Sequence, residues 1–486
     1  MFHLLVVGGG ITGLSAAYAA LGRARELGTD VRVTVLERQA RLGGSMITER
    51  HEGFVLDGGP DSWVANKREA TELARELGLE RSLVTTNAQN RRYDVVWKGK
   101  LHPVPAGLVL GVPTQLWPLV RTGLFSWRAK LRMALEPFVP ARRFESEDDD
   151  ESIADFAARR LGREAAERLV APLLGGITAA DASDVSVRAA FPQLCAMERE
   201  HGSLIRGMRA AAKERRARAA AGRDPGPFVS LEGGVGQLVA ALADKVREGG
   251  ASVRLGVAAR SLRREGARWA VDLADGERLS PADAVVLAVP AHAAARICSG
   301  VDAELVRALS AIPYTSTATA FLAFRREDVA HPLGGMGFVV PRNAGRALLA
   351  ATWVSSKWDG RAPEGHVLLR AFFGGVGREE ILAGGDDALV SRARDELRAL
   401  MGIDPQPLWS RVFRFEAARA QMRVGHLAAM RDLRRRLAEV APGVLVAGDG
   451  FDGAGIPDAI RQGRSAGREL VARAPRAALQ NSAGSL

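Results

Sequence analysis

The pattern of apolar and polar positions in the first sixty residues predicts a strand, a helix and a second strand in turn. Residues 3–8 form a short apolar run, residues 11–27 carry apolar side chains at helical spacing, and residues 31–37 alternate and are rich in valine. Residues 51–56 predict one further strand. A strand–helix–strand unit of this kind predicts an α/β domain built around a parallel sheet.

Farther along the chain the pattern changes several times, and the changes predict further structural parts. Residues 106–215 show mostly helical spacing with Pro and Gly breaks, and residues 215–227 have the composition of an exposed linker. Residues 92–101 alternate around a Lys-Gly pair as a hairpin does. Residues 291–410 contain several strand-like runs, which predict an antiparallel sheet with one covered face.

We therefore expect an α/β fold in which a Rossmann-like domain is interrupted twice, because its pattern returns after each interruption. Segments far apart in the sequence would meet where the domains join, which favours a site at that interface. The expected parts are the Rossmann-like domain (residues 1–88, 216–290 and 411–474), the antiparallel-sheet domain (89–105 and 291–410), the helical insert (106–215) and a flexible tail (475–486).

Composition excludes some classes of function and leaves others open. Lys and Arg number 67 against 56 Asp and Glu, which gives a formal net charge of +11, and only seven of the basic residues are Lys. This Arg excess fits an acidic substrate, a membrane surface or nucleic acid, and it equally fits a bias that runs through the whole chain. Because zinc-ligand spacing, an aromatic–basic motif and a basic tail are all missing, we expect no nucleic-acid partner.

The cysteines and the most apolar segment bear on the compartment. Cys195 and Cys298 are too few for a disulfide framework or a thiolate metal site, so we expect no metal and a cytoplasmic location. Residues 4–21 are uncharged, but their four glycines favour a strand, a turn and a buried helix over a membrane span. No signal peptide is expected. Peripheral membrane contact through the helical insert is an alternative to docking of its helices on the protein.

A glycine motif, Gly8-Gly9-Gly10-Ile11-Thr12-Gly13, joins the first predicted strand to the first predicted helix. Its first glycine permits a tight turn, its second lets the backbone approach a pyrophosphate, and its third lets the helix pack on the strand. The helix N-terminus offers free amides to the phosphates, and Glu37 ends the next strand, where it can accept hydrogen bonds from a ribose. The motif therefore predicts dinucleotide binding.

The following residues distinguish among dinucleotides. Arg38 and Arg41-Leu42-Gly43-Gly44 continue directly from Glu37 and resemble the flavin amine oxidase superfamily, in which an acid is followed by an Arg-x-Gly-Gly turn against the flavin. Asp57-Gly58-Gly59-Pro60 resembles the superfamily segment that passes near the flavin ring. The resemblance implies FAD as the cofactor.

A second glycine-rich segment near the C-terminus completes the resemblance. It contains Gly448-Asp449-Gly450, Gly453-Ala454-Gly455-Ile456 and Gly463. In the superfamily the helix that follows points at the pyrimidine end of the flavin, and Asp449 matches an acid near the ribityl-pyrophosphate. The predicted cofactor site comprises Gly8, Gly9, Gly10, Ile11, Thr12, Gly13, Glu37, Arg38, Gly43, Gly44, Gly59, Pro60, Asp61, Ser62, Ala259, Gly448, Asp449, Ala454, Gly455 and Ile456.

Within that superfamily the chain resembles the porphyrinogen oxidases of haem synthesis over nearly its whole length. The resemblance depends on segments outside the flavin motifs: Pro172-Leu173-Leu174-Gly175-Gly176-Ile177, Phe191-Pro192, Met197-Glu198-Arg199-Glu200-His201-Gly202-Ser203-Leu204 and Leu231-Glu232-Gly233-Gly234. Thr178 departs from the family, which has an aromatic residue there, and this departure concerns the wall of the substrate pocket.

The same resemblance implies the substrate-binding residues. Arg92 falls where the family places an Arg facing a propionate, and a guanidinium can bind a carboxylate with two parallel hydrogen bonds; a surface Arg is the alternative. Gly176 matches the residue whose backbone meets the pyrrole nitrogens. Val339 and Trp353 lie in strands that resemble apolar pocket walls, and sheet core is the alternative for both.

The expected activity is oxidation of a porphyrinogen by noncovalently bound FAD, in three two-electron rounds with dioxygen as oxidant and hydrogen peroxide as product. A downstream haem-pathway chelatase is a possible partner by the same resemblance. Segments 111–126 and 351–365 resemble the bacterial branch that forms coproporphyrin, so coproporphyrinogen III is favoured over protoporphyrinogen IX. The alternatives are an amine oxidase, which needs an aromatic cage, and a tetrapyrrole-binding flavoprotein without turnover.

Overall fold

The computed structural model describes residues 1–109, 111–142, 146, 148–220 and 226–474. The predicted tail, residues 475–486, lies outside the described residues, as do residues 221–225 of the predicted linker. Of residues 116, 175–178, 215, 216 and 218–220 only the backbone is described.

A five-stranded parallel sheet carries the first glycine motif. Its strands, in spatial order, are Ser252–Leu255, Val31–Glu37, Phe2–Val7, Ala284–Leu287 and Val444–Val446. All four neighbouring pairs are parallel, so the carboxyl ends of the strands meet at one edge. The centre of Phe2–Val7 is buried on both faces, which explains its continuous apolar run.

Two long helices cover one face of this sheet and pack directly on each other. They are Ile11–Leu27 at the start of the chain and Ile456–Ala472 at its end. A Cβ added at Gly463 would lie 2.1 Å from the Thr12 carbonyl oxygen, and one added at Gly467 would lie 2.1 Å from the Ala16 oxygen. The crossing is therefore possible only because these positions of the last helix are glycines. The remaining helices of this part are Glu69–Glu76, Gly236–Glu248, Ala291–Ile297, Ala303–Ser310 and His426–Val440.

A seven-stranded sheet forms the second part. In spatial order its strands are Trp409–Ala420, Tyr314–Arg325, His366–Gly374, Ala350–Trp353, Gly337–Val339, Asp94–Trp97 and Lys100–Pro103. The predicted antiparallel arrangement is confirmed for every neighbouring pair except one, because Gly337–Val339 runs parallel to Asp94–Trp97. Helix Asp386–Met401 packs on this sheet. Strand Trp409–Ala420 crosses the expected domain boundary at residue 411, and the division into domains stays a prediction.

The third part is helical and has its own apolar core. Its helices are Leu116–Arg121, Trp127–Ala134, Ile153–Leu161, Arg163–Ala165, Ala171–Thr178, Val187–Ala190, Pro192–His201 and Leu204–Ala220, with a π-helical turn at Ala166–Val170. Serine side chains begin four of them, since Ser126, Ser152, Ser186 and Ser203 each accept a hydrogen bond from the backbone N–H three residues later. The prediction of a linker from residue 215 is wrong up to residue 220, because the alanines there extend the helix.

The other local predictions hold with one exception. The strands predicted at residues 3–8 and 31–37 and the helix predicted at residues 11–27 are confirmed to within one residue. The single strand predicted at residues 51–56 is wrong, because Thr48–His51 and Phe54–Asp57 form a hairpin. Its turn is Glu52-Gly53, and both residues have positive φ, 47° and 81°, as a tight hairpin turn requires.

Candidate functional site

The three glycines of the first motif have three different surroundings. A Cβ added at Gly8, where φ is 109°, would lie 2.3 Å from the Ala288 carbonyl oxygen, and one added at Gly13 would lie 1.9 Å from the Gly8 oxygen. A Cβ at Gly10 would meet nothing within 4 Å. The outer glycines are therefore required by the turn and by packing, whereas Gly10 faces open space that a ligand can fill.

The Arg41–Gly44 turn closes over this motif. The Gly43 N–H donates to the Gly9 carbonyl at 2.9 Å, and a Cβ added at Gly44 would be 3.6 Å from the Gly10 Cα. Arg41 stabilises the turn by donating to the Gly44 carbonyl oxygen at 2.8 Å. The second predicted element is thus adjacent to the open side of Gly10.

Glu37 lies at the end of its strand, as predicted, and is buried. Its carboxylate accepts hydrogen bonds from the Gly9 N–H and the Gln39 N–H, both at 2.8 Å. Arg38, the next residue, is exposed. The Val257 N–H donates to the Glu37 carbonyl at 2.8 Å, and two residues later Ala259 begins strand Ala259–Glu265. All three residues therefore border the same edge of the parallel sheet.

The turn formed by residues 57–62 lies beside the Arg41–Gly44 turn. A Cβ added at Gly59 would lie 1.9 Å from the Ser45 carbonyl oxygen, and the Gly58 N–H donates to the Ile47 carbonyl at 2.8 Å. Asp61 accepts a hydrogen bond from its neighbour Ser62 at 2.7 Å. The segment predicted to pass the flavin ring is therefore contiguous with the segment predicted to bind the pyrophosphate.

Three largely buried cations hold this turn, and none of them is among the residues predicted from the sequence. Arg361 Nη2 lies 3.1 Å from Asp57 Oδ2, and Lys357 Nζ lies 2.7 Å from Asp61 Oδ2. Arg370 Nη2 donates to the carbonyl oxygens of Gly58 at 2.6 Å and Gly59 at 2.5 Å. Lys357 ends the short helix Val354–Lys357, Arg370 lies in strand His366–Gly374, and Arg361 lies between the two. All three are about 300 positions away in the sequence, so no local motif could indicate them.

These contacts determine the charge of the turn. Although burial alone would raise the pKa of Asp61, Lys357 and Arg370 hold that pKa well below its usual value. Burial lowers the pKa of Arg370 to about 10, which leaves its guanidinium protonated at neutral pH. Burial raises the pKa of Asp57, against the opposing effect of Arg361. The turn is therefore next to positive charge in the protein interior.

The C-terminal glycine segment lies opposite the first motif. A Cβ added at Gly448 would be 3.6 Å from Thr12 Oγ1, and one at Gly455, immediately before the last helix, would meet nothing within 4 Å. Lys67 Nζ lies 2.5 Å from Asp458 Oδ2 in the first turn of that helix, so the segment after residue 62 is tied to it. Ala454 and Ile456, both predicted, flank the open position.

Asp449 carries a buried oxygen without a partner. Tyr314 donates to its backbone carbonyl at 3.0 Å, while its side-chain Oδ1 has no hydrogen-bond partner among the described residues. Burial raises the pKa of this carboxyl, and Arg419 partly opposes the shift. An orphan buried oxygen of this kind fits a ligand hydroxyl as its donor.

These segments together fit a flavin dinucleotide. Gly10 and Gly455 leave space where two helix N-termini begin, which suits a pyrophosphate and an anionic ring. Asp449 supplies an acceptor without a protein donor, and the 57–62 turn closes one side. Across the described part of the chain, no group of three or more His, Cys, Asp or Glu side chains could hold a metal ion.

The predicted substrate residues are less tightly grouped. Arg92 is half-exposed just before strand Asp94–Trp97, and its carbonyl accepts the Met336 N–H at 2.7 Å. Val339 is half-buried and packs against the core of the helical insert, whereas Trp353 is fully buried in the core of the seven-stranded sheet. The structure therefore favours sheet core for Trp353. Gly176 lies in helix Ala171–Thr178, where only the backbone of residues 175–178 is described.

Comparison with known proteins gives consistent results. The family model for flavin-containing amine oxidoreductases matches residues 11–471. A coproporphyrinogen III oxidase of Bacillus subtilis (strain 168) is 36% identical over 96% of this chain and 97% of its own length, and one of Propionibacterium freudenreichii is 36% identical over 96% and 90%. A crystal structure from Exiguobacterium sp. 255-15, assigned as a protoporphyrinogen oxidase, is 31% identical with a TM-score of 0.85, covering 97% and 99% of the two chains.

Proposed function

This chain belongs to the flavin-containing amine oxidoreductases, and we propose that it oxidises coproporphyrinogen III to coproporphyrin III with noncovalently bound FAD. It is a flavin-dependent porphyrinogen oxidase of haem biosynthesis. The observation that carries the assignment is the match over nearly the full length of both chains to proteins of that activity, because such a match includes the substrate-binding parts as well as the flavin motifs.

The cofactor proposal assigns a role to each element of the site. The amides that follow Gly10 and Gly455 bind the two charged ends of the cofactor, Glu37 accepts from the ribose, and Asp449 accepts from the ribityl chain. Bound FAD supplies the two-electron acceptor chemistry. The protein orients the substrate, excludes water and holds the 57–62 turn in place.

The proposed reaction balances without a strong acid or base from the protein. The porphyrinogen loses six electrons and six hydrogens in three rounds, each as one hydride and one proton, and three dioxygen molecules become three hydrogen peroxide molecules. The chain needs only to present a bridging methylene to the cofactor in each round. A downstream chelatase that inserts a metal into the product is the partner that this product requires.

The preference for coproporphyrinogen rests on the two full-length relatives with that name and on charge at the predicted substrate edge. Coproporphyrinogen carries four propionates where protoporphyrinogen carries two, and buried unpaired carboxylates are costly. Arg91, Arg92, Lys98 and Lys100 lie along one hairpin and its approach, and all four side chains are exposed to solvent. They can neutralise a substrate edge without burial of the extra carboxylates.

We also propose that this cytoplasmic enzyme contacts an anionic membrane surface through an apolar patch of the helical insert. The patch consists of Val109, Trp117, Val120, Trp127, Leu131, Leu135 and Phe138, which are seven of the eleven large apolar side chains exposed among the described residues. A single short segment thus holds most of the exposed apolar surface, which argues for a binding role. None of the helices that could be searched in the described chain is long and apolar enough to span a membrane.

Charge favours a lipid surface as the occupant of this patch. Residues 95–135 contain six Lys and Arg and no Asp or Glu. Arg121 lies 4.7 Å from the ring centre of Trp117, and Lys130 lies 4.4 Å from that of Trp127. Short helices with exposed Trp, Phe and Leu next to basic residues are typical of proteins that lie on anionic bilayers.

Parallel fluorescence assays of coproporphyrinogen and protoporphyrinogen oxidation test the substrate assignment. We expect kcat/KM for coproporphyrinogen to equal or exceed that for protoporphyrinogen. A tenfold preference for protoporphyrinogen would reject the coproporphyrin assignment and leave the flavin chemistry intact. Oxidation of neither compound by the yellow holoenzyme would reject the porphyrinogen assignment itself.

A further inference from the structure

Arg370 differs from the other two cations that hold the 57–62 turn. Arg361 faces the carboxylate of Asp57 and Lys357 faces that of Asp61, so both charges are neutralised at contact distance. Arg370 instead donates to two uncharged carbonyl oxygens. Within the described residues, no carboxylate lies within 4.0 Å of its guanidinium, and its Nε has no hydrogen-bond partner.

Three cations thus face two carboxylates: Asp61 and Asp57 act electrostatically on Arg370, but each is in contact with another cation. Arg370 is only 4% exposed, and its guanidinium lies 4.4 Å from the ring centre of Phe372 and 5.3 Å from that of Phe321. An excess buried charge without a counter-ion in contact destabilises a fold unless another group compensates it. The aromatic faces compensate part of this cost. The remaining positive charge points to an anionic group that the polypeptide does not supply.

The contacts of Arg370 also determine how the turn faces its surroundings. The guanidinium draws the carbonyl oxygens of Gly58 and Gly59 to one side, and Thr319 Oγ1 donates to the Gly58 oxygen from the same sheet at 3.0 Å. In a trans peptide the N–H points opposite to the carbonyl, so the Gly59 N–H points away from Arg370. In the described chain nothing accepts a hydrogen bond from this N–H.

We propose that Arg370 is a positioning residue for the flavin: it presents the Gly59 N–H to the ring, and its charge favours reduction of the bound cofactor. This inference rests on the proposed function, because only a flavin at the 57–62 turn gives the N–H and the charge a common target. It also links the seven-stranded sheet to the hairpin Thr48–Asp57, since Arg370 lies on strand His366–Gly374 while the turn follows the hairpin strand Phe54–Asp57.

The test measures the midpoint potential of the bound flavin in the holoprotein, with no porphyrinogen present. Arg370→Met removes the charge and both hydrogen bonds, and it should lower the equilibrium constant for two-electron reduction at least tenfold, which is about 30 mV. Arg370→Lys keeps the charge but can reach only one carbonyl, so it should lose a smaller factor. The absorption band of the oxidised flavin should shift in the same order.

Arg160→Lys is the matched control, because Arg160 is also fully buried but lies in the helical insert, paired with Glu136 and Glu198. It should lower thermal stability and leave the potential unchanged. If Arg370→Met does not fold, Arg370→Lys carries the test. A folded Arg370 variant with lower stability and wild-type potential would overturn the inference. If the wild-type protein binds no flavin, the proposed function fails first.

Discussion

Arg92 and Asp94 form an ion pair at the start of one sheet strand, with 3.3 Å between Arg92 Nε and Asp94 Oδ1. The arginine side chain is 49% exposed and that of the aspartate 6%. Burial raises the pKa of Asp94, while Arg92 and His102 oppose the shift. The pair uses the Nε edge of the guanidinium, which leaves its terminal nitrogens to bind a second carboxylate.

Arg92→Ala should therefore raise KM for coproporphyrinogen about tenfold, or about 1.4 kcal/mol, with the flavin spectrum unchanged. The effect is at the low end for a charge-assisted contact because the side chain is half-exposed. Arg92→Lys should recover part of the loss, since its single ammonium lacks the fork geometry. Steady-state kinetics check this. Arg325 is exposed at the far end of the same sheet, and as a control Arg325→Ala should leave KM unchanged. If Asp94→Asn raises KM as much as Arg92→Ala does, Arg92 acts only as a structural partner of Asp94.

Gly10→Val should abolish flavin retention and leave the apoprotein folded. Gly10 has φ −72° and ψ 178°, a conformation that valine adopts, and its added Cβ would meet only the open space proposed for the pyrophosphate. Gly22→Val is the control, because Gly22 lies in the helix that Gly10 immediately precedes, and a Cβ added there would also meet nothing within 4 Å. Flavin content after gel filtration measures retention of the cofactor, and the Tm of the apoproteins shows whether each variant is folded. A yellow Gly10→Val protein would place the pyrophosphate elsewhere.

The flavin should be released intact when the protein is denatured with acid. Burial raises the pKa of the thiols of Cys195 and Cys298 to about 12, so both remain protonated and poorly reactive at neutral pH. Neither lies in the segments that form the candidate cofactor site. After precipitation we expect all yellow colour in the supernatant, with FAD identified by mass. Colour retained by the pellet would mean a covalent bond to the protein.

Asp449→Asn should change the pH dependence of apoprotein stability. Because burial raises the pKa of Asp449 in the folded state, its stabilising contribution is complete below the unfolded pKa of about 4 and is lost as pH rises through the folded value. Asn does not titrate. Urea unfolding should therefore show the variant gaining stability relative to wild type as pH increases above 4. The flavin affinity should fall in the same variant. A stability difference between variant and wild type that does not change with pH would contradict the assignment of Asp449 as an ionising group.

The apolar patch should bind anionic vesicles. Sedimentation with phosphatidylglycerol vesicles should exceed that with phosphatidylcholine vesicles and fall as salt rises, because the basic residues contribute. The double variant Trp127→Asp, Phe138→Asp should lose at least tenfold in affinity without loss of stability, since both side chains are largely exposed. Leu408→Asp, exposed in another part of the chain, is the control. Equal sedimentation of wild type and double variant would exclude this patch as the contact.

The sequence predicted those parts of the fold and site that depend on neighbouring residues. Gly8, Gly10 and Gly13 have the three surroundings that their spacing indicates, because a turn between a strand and a helix is a local structure. Glu52-Gly53 was missed because a two-residue turn inside an apparently continuous strand leaves almost no change in hydrophobic pattern. Whether Trp353 faces a pocket or a core depends on which side of the sheet is covered, and its periodicity is identical in both cases.

Contacts between distant segments could not be predicted in this way. Lys357 ends a short helix, and Arg370 lies within a sheet strand. From the sequence pattern alone, each residue can be predicted to be exposed or buried, but its binding partner cannot be predicted. Their partners in the 57–62 turn are specified only once the seven-stranded sheet lies against the hairpin that precedes this turn. The contacts of Arg370 with the carbonyl oxygens of Gly58 and Gly59 form only in the folded chain, so no sequence motif indicates them.

The crossing of the first and last helices has a consequence for synthesis in the cell. Helix Ile11–Leu27 leaves the ribosome early, but Gly463 and Gly467, which pack on it, are made about 440 residues later. At about 5–20 residues per second the interval is roughly 20–90 s. During that time one face of the nascent Rossmann-like domain is uncovered, and a chaperone would be needed to protect it. Loading of the flavin is thus a late event that follows translation of the final helix.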